Sequence, residues 1–276
     1  MSNIHSSTHP TAGKPTVTDR FAPGTFTPNP TPAPTGRMLL SQARIETLLF
    51  LRHGEQQLLS LVIPVALLIG LSLLPVVPLD DPVQRIYPMT LGIALMSAGF
   101  TGQAIAVAFD RRYGALKRIG ASGVPRRVLI SGKILAVGAA VLLQIAVLTV
   151  IGLILGFSVT ASGLLPGLLF VVLGVATFTA LGLLLGGTLS SELVLALGNT
   201  IWFLLLGASV TTAMDPEMPD AVLTALQVIP SVALTDGLIA AAEGSVDLGN
   251  LLILGGWAVL GTILAVRFFS FTMNDD

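Results

Sequence analysis

Six long apolar runs separated by short polar breaks set the plan of the chain: about Leu58 to Val77, Met89 to Phe109, Ile134 to Phe157, Leu164 to Gly187, Leu193 to Met214 and Leu248 to Phe269. Each reaches the roughly 20 residues that an α-helix needs to cross about 30 Å of hydrocarbon. Lipid offers backbone groups no hydrogen bonds, so a spanning segment is either a helix or part of a closed barrel. Runs this continuous fit helices rather than short alternating strands. The pattern predicts an all-α polytopic membrane protein with six transmembrane helices.

The breaks carry structure of their own. Ahead of the first run, Met38 to Gln57 mixes Leu39, Leu40, Ile45, Leu48, Leu49, Phe50 and Leu51 with Arg44, Glu46, Arg52, His53 and Glu55. Residues 36–57 therefore form either an interfacial elbow helix or a plain extension of the first span. Between the fifth and sixth runs, Ala221 to Ile229 and Val232 to Ala242 are each too short to span. Pro230, between them, removes a helical donor and drives Ile229 away from the αR region. The segment 219–243 is thus a broken, re-entrant helical hairpin or an amphipathic surface loop. Residues 1–35 are dense in Pro, Thr and Ser and lack the charged and apolar regions of a secretory signal. They read as a disordered cytoplasmic tail, leaving 58–276 as the transmembrane domain.

Charge gives the runs a direction. The loop Asp110 to Lys133 holds seven of the fourteen Lys and Arg residues. Basic residues near span ends mark the cytoplasmic side. With that loop inside, both termini are cytoplasmic and thirteen of the fourteen basic residues lie on the inner side, Arg85 being the exception. At 53% hydrophobic and 11% charged, the chain has too few charges to cover a soluble globule. Nothing in this balance points to nucleic acid. The absence of cysteine removes disulfides, thiolate ligands and a cysteine nucleophile.

Candidate chemistry is sparse. The spans carry no ionisable residue near mid-membrane, neither HExxH nor GxSxG occurs, and His5, His9 and His53 sit in the tail and the elbow. That argues against an intramembrane protease, a metal site and ion-coupled transport. The chain is expected to be non-catalytic. Gln103, Gln144 and Asn199 are among the few amides within the spans; they either bond between helices or line a substrate path. Gly152/Gly156 and Gly182/Gly186 have the spacing that lets helices approach closely, a pattern that 29 glycines produce often by chance. A phosphate-binding loop is missing, since Gly132-Lys133 is followed by Ile134 and lacks the upstream glycine. Any ATP that drives the protein must then bind another polypeptide.

The run Asp110-Arg111-Arg112-Tyr113-Gly114-Ala115-Leu116-Lys117-Arg118, followed by Pro125-Arg126-Arg127 and Gly132-Lys133, resembles the coupling loop of type 2 ABC exporter membrane subunits. Daunorubicin-resistance-like permeases look most similar, over roughly Arg37 to Met273. The segment around Pro230 is similar to that family's re-entrant element. The resemblance implies that Asp110, Arg111, Arg112, Tyr113, Gly114, Leu116, Lys117 and Arg118, within a coupling loop 110–133, dock onto a separate ATP-binding subunit present in two copies. That subunit would hold ATP and Mg, with no cofactor on this chain. It also implies a second permease subunit, as homodimer or heterodimer, and a path between the second and fifth spans, where Gln103 and Asn199 are the candidate residues. The implied setting is the bacterial cytoplasmic membrane and the implied activity is efflux of a hydrophobic or amphipathic drug or lipid, as in antibiotic resistance. A non-transporting membrane scaffold and a membrane-embedded lipid-modifying enzyme are the other function classes; for the enzyme, Asp80, Asp81 and Arg85 are the compact outer polar group.

Overall fold

The computed structural model describes residues 33–52, 54–74, 81–115, 126–215 and 218–270. The chain divides into Met1–Pro34 and Thr35–Asp276, and every described helix lies in the second part. Residues 1–32 of the expected tail, and Leu116, Lys117 and Arg118 of the loop, fall outside the described residues.

Among the described residues the fold is helical, with no strand. Helix α1 covers Thr35–Arg52 and α2 covers Gly54–Leu73. Helix α3, Val83–Met96, continues through a π-helical turn, Ser97–Gly102, into α4, Gln103–Arg112. There follow α5 (Arg126–Ile154), α6 (Leu164–Thr188), α7 (Ser191–Met214), α8 (Asp220–Gln227), α9 (Pro230–Ala242) and α10 (Leu248–Phe268).

Among the described residues, five stretches are long and apolar enough to cross a bilayer, Val83–Arg112, Ser131–Ile154, Ala161–Thr188, Ser191–Met214 and Leu248–Phe268, or six if the bent pair Ala221–Gln227 and Pro230–Ala242 is one span. The first predicted run falls on α2, whose apolar residues begin at Leu58; among the residues whose side chains are described, its apolar part is Ser60–Leu73. At about 1.5 Å per residue that part covers roughly 21 Å, against about 30 Å of hydrocarbon. Only the whole of α2, 20 residues long, reaches bilayer thickness, and its first turn is polar.

One helix is central. The apolar stretch of α3–α4 is 78% buried, whereas those of α7 and α10 are 22% and 17% buried. The outer helices turn large side chains outward, among them Leu142, Ile154, Leu204, Leu252 and Val266; lipid is the solvent that tolerates such a surface. Backbone contact fixes α6 against the centre: a Cβ on Gly182 would lie 2.6 Å from the carbonyl oxygens of Gly99 and Phe100, and one on Gly186 would lie 2.3 Å from that of Ala104. Polar side chains add directional ties. Trp202 Nε1 donates to Ser97 Oγ at 2.9 Å, Thr177 Oγ1 to Leu254 O at 3.0 Å, and Tyr87 OH meets Thr149 Oγ1 at 2.7 Å. These bonds join α7 to the π turn, α6 to α10 and α3 to α5. Interhelical bonds of this kind are the common fate of polar groups in spans.

The proline-centred segment is a bent pair. Ile229 is extended (φ −73°, ψ 127°), Pro230 opens α9, and α8 meets α9 at 103°. Helix α9 is buried from Pro230 through Thr235 and packs on α3, α6, α7 and α10. Ser231 Oγ donates to Leu205 O at 2.9 Å. Val222 on α8 and Val228 just after it are exposed.

Candidate functional site

The end of α4 is where the sequence placed its charged candidates, and two of those described, Asp110 and Arg111, are engaged by other helices of the bundle. Lys133, at the head of α5, has a side chain only 6% exposed. Its Nζ donates to Asp110 Oδ2 at 2.6 Å and lies 3.1 Å from both carboxylate oxygens of Glu46 on α1. One cation thus joins three helices. Gln42 Nε2 donates to Glu46 Oε1 at 2.9 Å and holds that carboxylate in place. The two helices can come this close because residue 132 is glycine: a Cβ there would lie 2.5 Å from Gln42 Cγ.

The next two arginines face the other way around α4. Arg111, 7% exposed, donates through Nη1 to Gly186 O at 2.8 Å and Leu189 O at 3.0 Å. Carbonyls in the last turn of a helix have no intrahelical donor, and the helix dipole favours a cation there. Arg111 thereby caps α6. Arg112 pairs with Glu192 and donates to Ser191 Oγ at 3.0 Å, linking α4 to the first turn of α7. That surface pair is half-exposed at both partners, so solvent screening leaves it little worth.

Tyr113 closes α4 with φ −85°, ψ 6°, and Gly114 follows at φ +65°, a left-handed conformation that glycine adopts without strain. Tyr113 is 65% exposed and stacks on Phe109 with ring centroids 5.9 Å apart. Within the described part of the loop Arg112 and Tyr113 are exposed, while Arg111 is buried and Asp110 is turned toward Lys133.

The other candidates sit apart. Gln103 is buried at the start of α4, and its Oε1 has no hydrogen-bond partner among the described residues. Asn199 is exposed on α7. Gln144, by contrast, reaches Ser60 Oγ from Nε2 at a long 3.5 Å and ties α5 to α2. Pro230 is buried at the first position of α9, where its fixed φ suits a helix start. Glu46, Ser191 and Glu192 were not among the sequence candidates, and Lys133 entered only as the end of the coupling-loop motif. Their signal was faint: Glu46 and Glu192 are acids on the side of the chain that otherwise collects its basic residues.

A buried central span, four lipid-facing helices around it and a charged joint at one end define a multi-pass, all-helical membrane protein. A family model described as ABC-2 family transporter protein matches residues 79–267, which reach to one residue short of the end of α10 and include the loop, Gln103, Asn199 and Pro230. The chain belongs to that family and is an ABC-2 type permease. Neither the curated proteins nor the solved structures supplied a match.

Proposed function

We propose that this chain is the permease subunit of an ATP-driven exporter. It moves a hydrophobic or amphipathic compound outward across the bacterial cytoplasmic membrane, with both termini inside. Two copies of a separate ATP-binding subunit carry ATP and Mg, and a second permease subunit completes the path. The observation that carries this reading is the family match over 79–267. The geometry adds support. Spans without ionisable groups at their centre have no residue of their own with which to couple an ion gradient, and the last turn of α4, from which the loop leaves, is tied to α1, α5, α6 and α7. The docking role of Asp110 to Arg118 falls to Tyr113 and the residues after it, because the charges of Asp110 and Arg111 are already engaged. The exposed amide of Asn199 supports a second subunit against α7, since an unpaired amide facing hydrocarbon is costly.

Purification of the full chain in mild detergent is expected to bring an ATPase with it, and replacing Tyr113, Leu116 and Lys117 together by Ala should cut that recovery at least fivefold while membrane levels hold. An intact wild-type preparation with no associated ATPase would overturn the reading. The orientation has its own check. The chain is naturally cysteine-free, so a single Arg118→Cys substitution can be probed with an impermeant thiol reagent. Cells are expected to protect position 118 until they are opened; labelling of intact cells would reverse the topology.

A further inference from the structure

Helix α1 lies outside the family match, yet it shares the most deeply buried charged joint at this end of the molecule. We propose that Lys133 is a positioning residue of the transport cycle: it ties α1 to the end of α4, so that displacement of the loop leaving α4 moves α1 and the head of α5 with it. This rests on the reading of the chain as an ATP-driven permease.

The chemistry favours a mechanical role. Burying a lysine and two carboxylates is costly, and apolar side chains of similar volume hold helices together as well or better. What the ion triad adds is direction. Lys133 is satisfied by two acids from two different helices, at 2.6 and 3.1 Å, and a shift of either helix by an ångström or two would strand a charge. Around the same helix end, Arg111 holds α6 and Arg112 holds α7. The loop thus emerges from a node to which α1, α5, α6 and α7 are all attached. Contact between α1 and α5 is close at Gly132, which leaves little slack in the linkage. The opposite face of α1 presents Leu40, Arg44, Ile45 and Leu48 to the outside, so α1 has an exposed surface on which such a movement can be read.

The test places one cysteine at a time in the cysteine-free chain, at Ile45→Cys on α1 or Ala115→Cys in the loop, labels it with an environment-sensitive fluorophore, and follows the complex with its ATPase in liposomes on trapping with ATP and vanadate. Both labels are expected to shift. Adding Glu46→Leu, which cuts α1 from Lys133, should reduce the shift at 45 at least fivefold and leave that at 115 in place. Glu46→Gln, which keeps the shape and removes the charge, serves if the leucine variant folds poorly, with a reduction of at least twofold expected. A shift at 45 that survives both substitutions overturns the inference, as does a label at 45 that is silent while 115 responds. A silent label at 115 in the intact protein overturns the ATP-driven reading itself, and this inference with it.

Discussion

Replacing Lys133 by methionine is expected to destabilise the protein by up to about 3 kcal/mol, the low end of the usual consequence of removing one partner from a buried ion pair, because the Asp110 side chain is 35% exposed and keeps part of its water. Methionine fills much of the lysine's volume, so lost packing contributes little. The damage comes from Asp110 and Glu46, left facing each other near a site that was 6% exposed, with no cation between them. The matching triple variant Glu46→Gln, Asp110→Asn, Lys133→Met removes all three charges and is expected to recover most of the loss, because uncharged groups of similar shape often replace a buried ion cluster at no net cost. Thermal unfolding of the detergent-purified chain measures both. Equal midpoints for the single and triple variants would mean that the carboxylates are solvated and that the joint is not the buried triad described above.

The spans were legible because lipid leaves the chain so few choices. Continuous apolar runs placed α5, α6, α7 and α10 within a few residues at their lipid-facing parts, and the proline logic at Ile229-Pro230 gave the bend between α8 and α9. Where the run lengths misled, polar residues were the reason. Helix α3 begins at Val83, six residues before the run at Met89, by taking in Arg85 and Tyr87, and α5 begins at Arg126 ahead of Ile134. The π turn at Ser97–Gly102 left no trace in the pattern. The site was half-legible. Asp110, Arg111 and Arg112 stood out as a charge cluster, but Lys133 and Glu46 meet across 87 residues of sequence, and no spacing rule reaches that far. Before the fold is known, a basic loop that sets orientation and a basic loop wired into its own bundle read the same.

The glycine pairs carry the same lesson and yield the second large effect. Gly152/Gly156 and Gly182/Gly186 are indistinguishable as spacings, yet only the second pair is a backbone contact between spans. Gly152 faces the Tyr87 ring, a side chain that can turn, and Gly156 adopts φ +101° just after the end of α5. At Gly186 the neighbours cannot yield: a Cβ would stand 2.3 Å from Ala104 O and 3.0 Å from Ala104 Cα. Gly186→Ala is therefore expected to force α4 and α6 apart at a cost of about 1–3 kcal/mol, the range for overpacking a tight core. The same displacement would pull Arg111 from Gly186 O, since both groups belong to that contact. Gly138→Ala is the control, because nothing lies within 4 Å of its Cβ position on α5. There alanine should be neutral or stabilise by roughly 0.5–1 kcal/mol, the difference in helix preference between the two residues. Unfolding midpoints of the two variants should move in opposite directions or differ clearly in size; a Gly186→Ala protein as stable as Gly138→Ala would refute the backbone contact between the central span and α6 on which the charged joint is built.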